Sequence, residues 1–292
     1  MRRLIAALRS RLVALVLGIA FAGAMPGAAV EAMRPQRIVS LDACTDQLLV
    51  ELVSRERIAA VTHLAADPIV SAIPEKARGI AITRGAAEDV LRHDPDLVLA
   101  GPYGVSTTVD LLQRLGRKVV VVPLANDLDQ VRASVREVAA AVGEVTAGEA
   151  LIAAYDRRLA GLARGTHAAS PPTAVVYQVS GAVSGPGSLA DAMLAAAGLR
   201  NMAEMYRLTQ QGHVPLELLL AQPPDLLVLS SSPEDFRAAI ADNLRHPVIG
   251  ILRRRQASLE LPWRMWLCGT PHILDAVEQL AAARAAIEAG RR

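Results

Sequence analysis

Cys44 and six histidines are the residues of this 292-residue chain whose types could do chemistry. A thiol at a helix start loses its proton more readily than a free one, and a neighbouring histidine would serve it as a base. The surrounding sequence does not assemble such a centre. It contains no Gly-x-Ser-x-Gly elbow, no His-Glu-x-x-His, no Gly-x-x-x-x-Gly-Lys and no Cys-x-x-Cys. His63, His93, His167, His213, His246 and His272 stand singly, without the spacing that brings two ligands onto one metal ion. Each reads as a surface or capping residue, and neither a cofactor nor a resident metal is expected. A thiol-dependent enzyme built on Cys44 is the alternative to a binding function, and an assay for free thiol separates the two.

The chain opens with Arg2, Arg3, Arg9 and Arg11, continues with an apolar run from Leu12 to Ala24, and then turns to small residues. This is the layout of a secretory signal peptide. The run is shorter than the roughly 20 apolar residues a spanning helix needs. Val30-Glu31-Ala32 offers small residues for cleavage, so residues 1–32 are expected to be removed and the rest exported to the periplasm. An uncleaved anchor is the alternative; no cysteine follows closely enough to carry a lipid. Cys44 and Cys268 are the only cysteines, and in an oxidising compartment two are compatible with one disulfide, though number alone does not establish the pairing.

Removing residues 1–32 takes away four arginines and Glu31, which leaves 27 basic and 28 acidic residues, a balance of −1 where the whole chain reads +2. Such a chain has no positive footprint for a phosphate backbone, and Arg253-Arg254-Arg255 is its only basic run, so nucleic acid is not an expected partner. An apolar fraction of 52% is enough for one large core or two medium ones.

The elements that must position any site alternate. Arg37 to Leu41, Ile58 to Thr62, Leu97 to Ala100 and Lys118 to Val122 read as β-branched or leucine-rich strands, with helical patterns at Thr45 to Val53 and Thr107 to Leu115 between them. Parallel strands need crossover helices, so this order predicts α/β layers. From Asp127 to Ala163 no strand signal appears. Gly143 divides this Ala-rich stretch into two helices, the second from Glu144 to Ala163. At 1.5 Å per residue a helix of that size reaches roughly 30 Å, enough to bridge two lobes. Strand and helix signals resume at Thr173 to Val179, at Ser188 to Ala197 with Ser188 as cap, at Leu226 to Leu229, at Gln256 to Leu261 and at Gly269 to Ala289. The expected organisation is a first lobe over 33–143, a linking helix over 144–164 and a second lobe over 165–292.

An internal repeat supports two lobes of similar construction. Glu88 stands as far before Pro95-Asp96-Leu97 as Glu217 stands before Pro224-Asp225-Leu226, and each unit reads as a short helix, a proline stop and a strand. Pro-Asp before a strand is common turn chemistry, but the matched glutamate spacing is not required by the turn.

Together these residues resemble the helical-backbone periplasmic binding proteins that serve ferric-siderophore and cobalamin importers. The resemblance rests on Arg37-Ile-Val-Ser-Leu41, Arg57-Ile-Ala-Ala-Val61, the two Glu…Pro-Asp-Leu units, the long central helix and the Gly185-Pro-Gly187 turn. It implies two Rossmann-like lobes with parallel sheets joined by a long backbone helix. It also implies a monomer that captures a metal chelate, ferric siderophore or corrinoid, without transforming it and hands it to the permease dimer of an ABC importer. In that family a glutamate of each lobe meets arginine pockets on the permease. Carried over, these are Glu88 and Glu217, whose plainer alternative is a solvated helix start.

The same resemblance places Cys44, His63, Arg84, Tyr103, Ser184, Gly185, Trp263 and Trp266 at the cleft between the lobes. Arg84 would suit an anionic chelate. The tryptophans would stack on a corrin or catecholate, or else pack in the core. The cobalamin receptors line this cleft with several rings, whereas this chain is only 3% aromatic, which leaves the chelate open. Placement on facing loops makes a Cys44–Cys268 disulfide across the cleft the expectation, with two separate thiols as the rival.

Overall fold

The computed structural model describes residues 34–163, 170–230 and 242–291. Residues 1–32, expected to be a signal peptide, His167 and most of the 165–172 linker lie outside them. The first lobe runs β1 (Ile38–Ser40), α1 (Ala43–Leu52), β2 (Ile58–Thr62), α2 (Pro74–Ala77), β3 (Ile82–Thr83), α3 (Ala87–Arg92), β4 (Leu97–Ala100), α4 (Ser106–Arg114) and β5 (Val119–Val121). Two long helices follow, α5 (Leu128–Val142) and α6 (Val145–Ala163). The second lobe contains β6 (Thr173–Tyr177), β7 (Ala182–Ser184), α7 (Leu189–Ala196), β8 (Arg200–Asn201), β9 (Gln211–His213), α8 (Leu216–Ala221), β10 (Leu226–Leu229), α9 (Asp242–Arg245), α10 (Pro247–Arg255), β11 (Ala257–Glu260) and α11 (Ile273–Gly290).

The first sheet is parallel throughout, in the order β3-β2-β1-β4-β5. Its central strands β1 and β4 are buried along their whole length because both faces are covered, while the edge strands β3 and β5 are partly exposed. Leu97 and Leu99 face α1 and α5, while Val98 and Ala100 face α3 and α4. The second lobe repeats the scheme: Ala174, Val176, Leu226 and Val228 pack toward α7 and α11, and Val175, Tyr177, Leu227 and Leu229 toward α8 and α10.

The second sheet corrects the expectation of two parallel sheets. Its order is β11-β10-β6-β7-β9, with β8 also paired to β6, and both the β6–β7 and β7–β9 pairings are antiparallel. The reason lies in the connection: only Gln178 to Gly181 separate β6 from β7, whereas a parallel return needs a crossover of a dozen or more residues. The chain must fold straight back, and it does so through Ser180 and Gly181, both at positive φ.

The repeat seen in sequence is a structural repeat. The Asp96 carboxylate accepts the backbone N–H groups of Gln36 (2.6 Å) and Arg37 (3.0 Å) just ahead of β1. Asp225 accepts the N–H (2.7 Å) and hydroxyl (2.9 Å) of Thr173 at the start of β6. In both lobes the aspartate at the head of one central strand ties down the head of its parallel neighbour, and that explains its place after the proline.

Helices α5 and α6 both span the lobes. Val135, Val138 and Val142 of α5 lie in the first core and Val131 in the second; Ile152 of α6 lies in the first and Tyr155 in the second. Gly143, left-handed at φ 77°, reverses the chain between them, and Glu144 N–H closes on Ala139 O at 2.7 Å.

Beneath α1 lies a buried carboxylate. Asp46, 0% exposed, accepts the Thr62 hydroxyl at 2.5 Å and the Thr62 N–H at 3.2 Å, which pins α1 to β2. Burial outweighs these bonds and pushes its carboxyl up to about 6. A folded pKa above the unfolded value means that the native state holds the proton more tightly. Its stabilising effect is therefore present below about pH 4 and lost as pH rises through about 6, a change on the order of 3 kcal/mol. Asp46→Asn keeps an acceptor for Thr62 and removes the charge. Urea unfolding should show it more stable than the parent by about 2 kcal/mol at pH 7.5, with the difference vanishing near pH 4. A pH-independent difference would refute the account.

Candidate functional site

A cleft of about 480 Å³ opens between the lobes where the carboxyl ends of several strands converge. From the first lobe, the loop after β4 brings Tyr103 and the segment after β5 brings Leu124, Ala125 and Asn126. The second lobe contributes Gln178 after β6, Ser184 at the end of β7, Ser188 at the cap of α7, Gln210 and Gln211 at β9, and Trp263 and Trp266 after β11. Such a crevice outside the carboxyl ends of α/β strands is where this architecture binds ligands.

The β7–β9 ribbon sets the polar wall. Ser184 is buried and its hydroxyl accepts Gln178 Nε2 at 2.8 Å, while its carbonyl accepts Asn201 Nδ2 at 3.1 Å. Gly185 N–H donates to Gln210 O at 2.9 Å. A Cβ on Gly185 would sit 1.9 Å from the carbonyl oxygen of Thr209, so only glycine allows the ribbon to close and carry Gln210 and Gln211 to the cleft. Gly185 thus shapes the wall without lining it.

Of the residues expected at the opening, Tyr103, Ser184, Trp263 and Trp266 line the cleft. Tyr103 is 74% exposed at its rim. Trp266 both lines the cleft and packs on the second core, and its indole N–H is buried with no partner among the described residues. Cys44 lines a small adjoining pocket with Asp42, Ser134 and Thr270, not the cleft itself. His63 and Arg84 are exposed and not among the lining residues. Asn126, Gln178, Gln210 and Gln211 were not anticipated; nearness to the end of a short strand was their only signal. Among the described lining residues none carries a charge: the wall is rings, carboxamides, hydroxyls and apolar groups.

The segment carrying the two tryptophans also fastens the lobes together. Cys268 is joined to Cys44 by a disulfide, with Cα atoms 5.1 Å apart. Thr270 Oγ1 donates to Gln47 Oε1 at 3.1 Å, and His272 Nε2 meets Glu51 at 3.3 Å. That histidine, together with Lys76, holds the Glu51 carboxyl down at about 2. With both cysteines in the disulfide, no thiolate is available to act as a nucleophile. Among the described residues no group of three histidine, cysteine or acidic side chains could hold a metal ion. His246 caps α10, its Nδ1 accepting Val248 N–H at 3.3 Å.

Glu88 and Glu217 occupy the same place in the two lobes, each the second residue of a six-residue helix and each exposed. Next to Glu88, Asp89 accepts the Arg84 N–H (2.8 Å) and the Thr83 hydroxyl (3.0 Å), which fixes the turn into α3 and lowers the Asp89 carboxyl to about 2.

Comparison with known proteins gives one consistent result. A cobalamin-binding protein of Halobacterium salinarum is 27% identical over 210 residues, 68% of this chain but only 55% of that protein, so the match spans about half of the relative's length. The periplasmic heme-binding protein RhuT from Roseiflexus sp. RS-1, in its apo form, superposes with a TM-score of 0.72 at 25% identity, covering 86% of this chain and 98% of its own. The vitamin B12 binding protein BtuF of Vibrio cholerae shares the fold, with a TM-score of 0.65 at 19% identity over 87% of this chain and 98% of its own. Residues 38–247 match the model of the periplasmic binding proteins, and the chain belongs to that family.

Proposed function

We propose that this chain is the periplasmic receptor of an ABC importer and that it captures an uncharged, amide-bearing metal chelate of the corrinoid kind. The observation that carries this reading is the cleft wall, where Tyr103, Trp263 and Trp266 stand beside Asn126, Gln178, Gln210 and Gln211 with no charged side chain among the described lining residues. Flat rings offer stacking faces to a macrocycle, and carboxamides exchange hydrogen bonds with amide substituents at its edge. An anionic catecholate or a propionate-bearing haem would instead bury charge without a cationic partner, which is costly. The likeness to a cobalamin-binding protein points the same way. Capture is the whole task on this reading; the chain transforms nothing, works as a monomer, and meets its permease through Glu88 and Glu217.

Titration of the mature protein with cobalamin, haem and a ferric catecholate, followed by tryptophan fluorescence, tests the choice. Cobalamin should bind at least about tenfold more tightly than either anion, and Trp263→Ala should weaken it by about tenfold, the loss of one stacking face in a desolvated site. Tighter binding of haem or catecholate would overturn the corrinoid assignment.

A further inference from the structure

Strand β10 pairs with β6 from Ala174 to Tyr177, so the two further partners of β6 must share its other edge. There Ala174 stands opposite Asn201 of β8, and Tyr177 opposite Val183 of β7. The two short strands meet end to end, and the Asn201 side chain bridges the break. Its Nδ2 donates to Ser184 O at 3.1 Å, and its Oδ1 accepts the Ala203 N–H at 3.0 Å. The carboxamide does at this point what a peptide group does inside a strand.

The same Nδ2 also donates to Asp191 Oδ1 at 3.0 Å, and Asp191 Oδ2 takes the Gly187 N–H at 3.0 Å. Ser188 closes the ring: its hydroxyl donates to Gly185 O at 2.7 Å and accepts the Asp191 N–H at 3.2 Å. The turn 185–187 is thereby fixed at both ends. On the cleft side of this turn stand Ser184 and Ser188, together with Gln210, whose carbonyl is held by the Gly185 N–H at 2.9 Å. Asn201 itself is 7% exposed and does not line the cleft.

We propose that Asn201 is a positioning residue for chelate capture, which touches no ligand and acts by holding Ser184, Ser188 and Gln210 where the polar edge of the ligand meets them. A buried polar network whose members satisfy one another specifies a single arrangement of what it carries. The ligand in this role rests on the chelate reading above; the geometry does not.

Asn201→Asp tests this role, because it keeps the shape of the side chain and turns a double donor into an acceptor. At pH 8 it sets one carboxylate against that of Asp191 and against Ser184 O. As pH falls the two carboxyls share a proton, which restores the bond to Asp191 but not the one to Ser184. Affinity for cobalamin, or for whichever of cobalamin, haem and ferric catecholate the parent binds best, should be about thirtyfold below the parent's at pH 8 and recover at least about threefold by pH 5. Arg200 and Glu204, the other charged groups of the groove that Asn201 and Asp191 line, are common to both proteins, as are His213 of β9 and the buried Asp46, and β6 carries no charge. The ratio of variant to parent affinity therefore isolates position 201. Binding should stay at one ligand per chain, which separates a misplaced wall from a loss of folded protein. A ratio independent of pH, or within about twofold of one throughout, would overturn the assignment. Amide hydrogen exchange needs no chelate: in Asn201→Ala the Gly185 and Gly187 amides should exchange at least about tenfold faster than in the parent, with those of the first sheet unchanged. Unaltered exchange at both glycines would also overturn it. If the parent binds none of the three chelates, the chelate reading falls, and exchange at Gly185 and Gly187 alone decides whether Asn201 holds the wall.

Discussion

Replacing Cys44 and Cys268 together by alanine is expected to lower the unfolding free energy by about 3–5 kcal/mol and Tm by roughly 10 °C. The disulfide joins residues 224 apart in sequence. A cross-link over so long a loop removes much of the freedom of the unfolded chain, for which the chain-entropy estimate is about 5 kcal/mol. The bond also secures a segment that lies at the meeting point of both lobes. Trp263 and Trp266 precede Cys268, and Thr270 and His272 follow it onto Gln47 and Glu51. Losing the anchor should therefore weaken chelate binding along with stability, and a thermal melt with and without ligand reads both. A dithiol reductant should move the parent protein toward the variant's Tm and leave the variant unmoved. A double variant that melts within about 2 °C of the parent would show that the clasp holds without its covalent bond.

The elements legible in sequence were those in which one physical signal dominates. Strands β1, β2, β4, β6 and β10 are apolar on both faces and read as unbroken runs, and Ser188 announced α7 because its hydroxyl does cap Asp191 N–H at 3.2 Å. The β7–β9 ribbon gave no such signal. Gln211–His213 is short, polar and largely exposed, held by pairing with β7 rather than by burial, so no apolar pattern marks it. Two of the four carboxamides of the cleft wall, Gln210 and Gln211, arrive with that ribbon, and they were invisible for the same reason. Arg84 and His63 illustrate a different limit. They follow β3 and β2, which lie on the far side of the first sheet from β4 and β5, whereas the first-lobe residues lining the cleft follow β4 and β5. Loop-by-loop correspondence reproduces the order of the chain, but sheet order decides which loops reach the ligand.

Glu88 and Glu217, proposed above as the pair that meets the permease, are the reverse case: residues with no chemistry of their own but with matched positions. Reversing both to lysine should abolish chelate uptake and leave chelate affinity within about twofold, because the surfaces are separate: neither residue lines the cleft, and each is exposed on its own short helix. A charge-assisted pair is worth about 1.5–3 kcal/mol, so the loss of two amounts to roughly a hundredfold to ten-thousandfold in docking affinity before the repulsion of lysine against arginine is added. Each single reversal should retain part of the uptake, since the other lobe still docks. The measurement is ATP-driven uptake in vesicles holding the importer, alongside tryptophan-fluorescence titration of the same protein samples. Normal uptake by the double variant would remove both glutamates from the docking surface. Uptake lost in proportion to chelate affinity would place the damage in the cleft, since a docking defect must leave capture intact and stop only delivery.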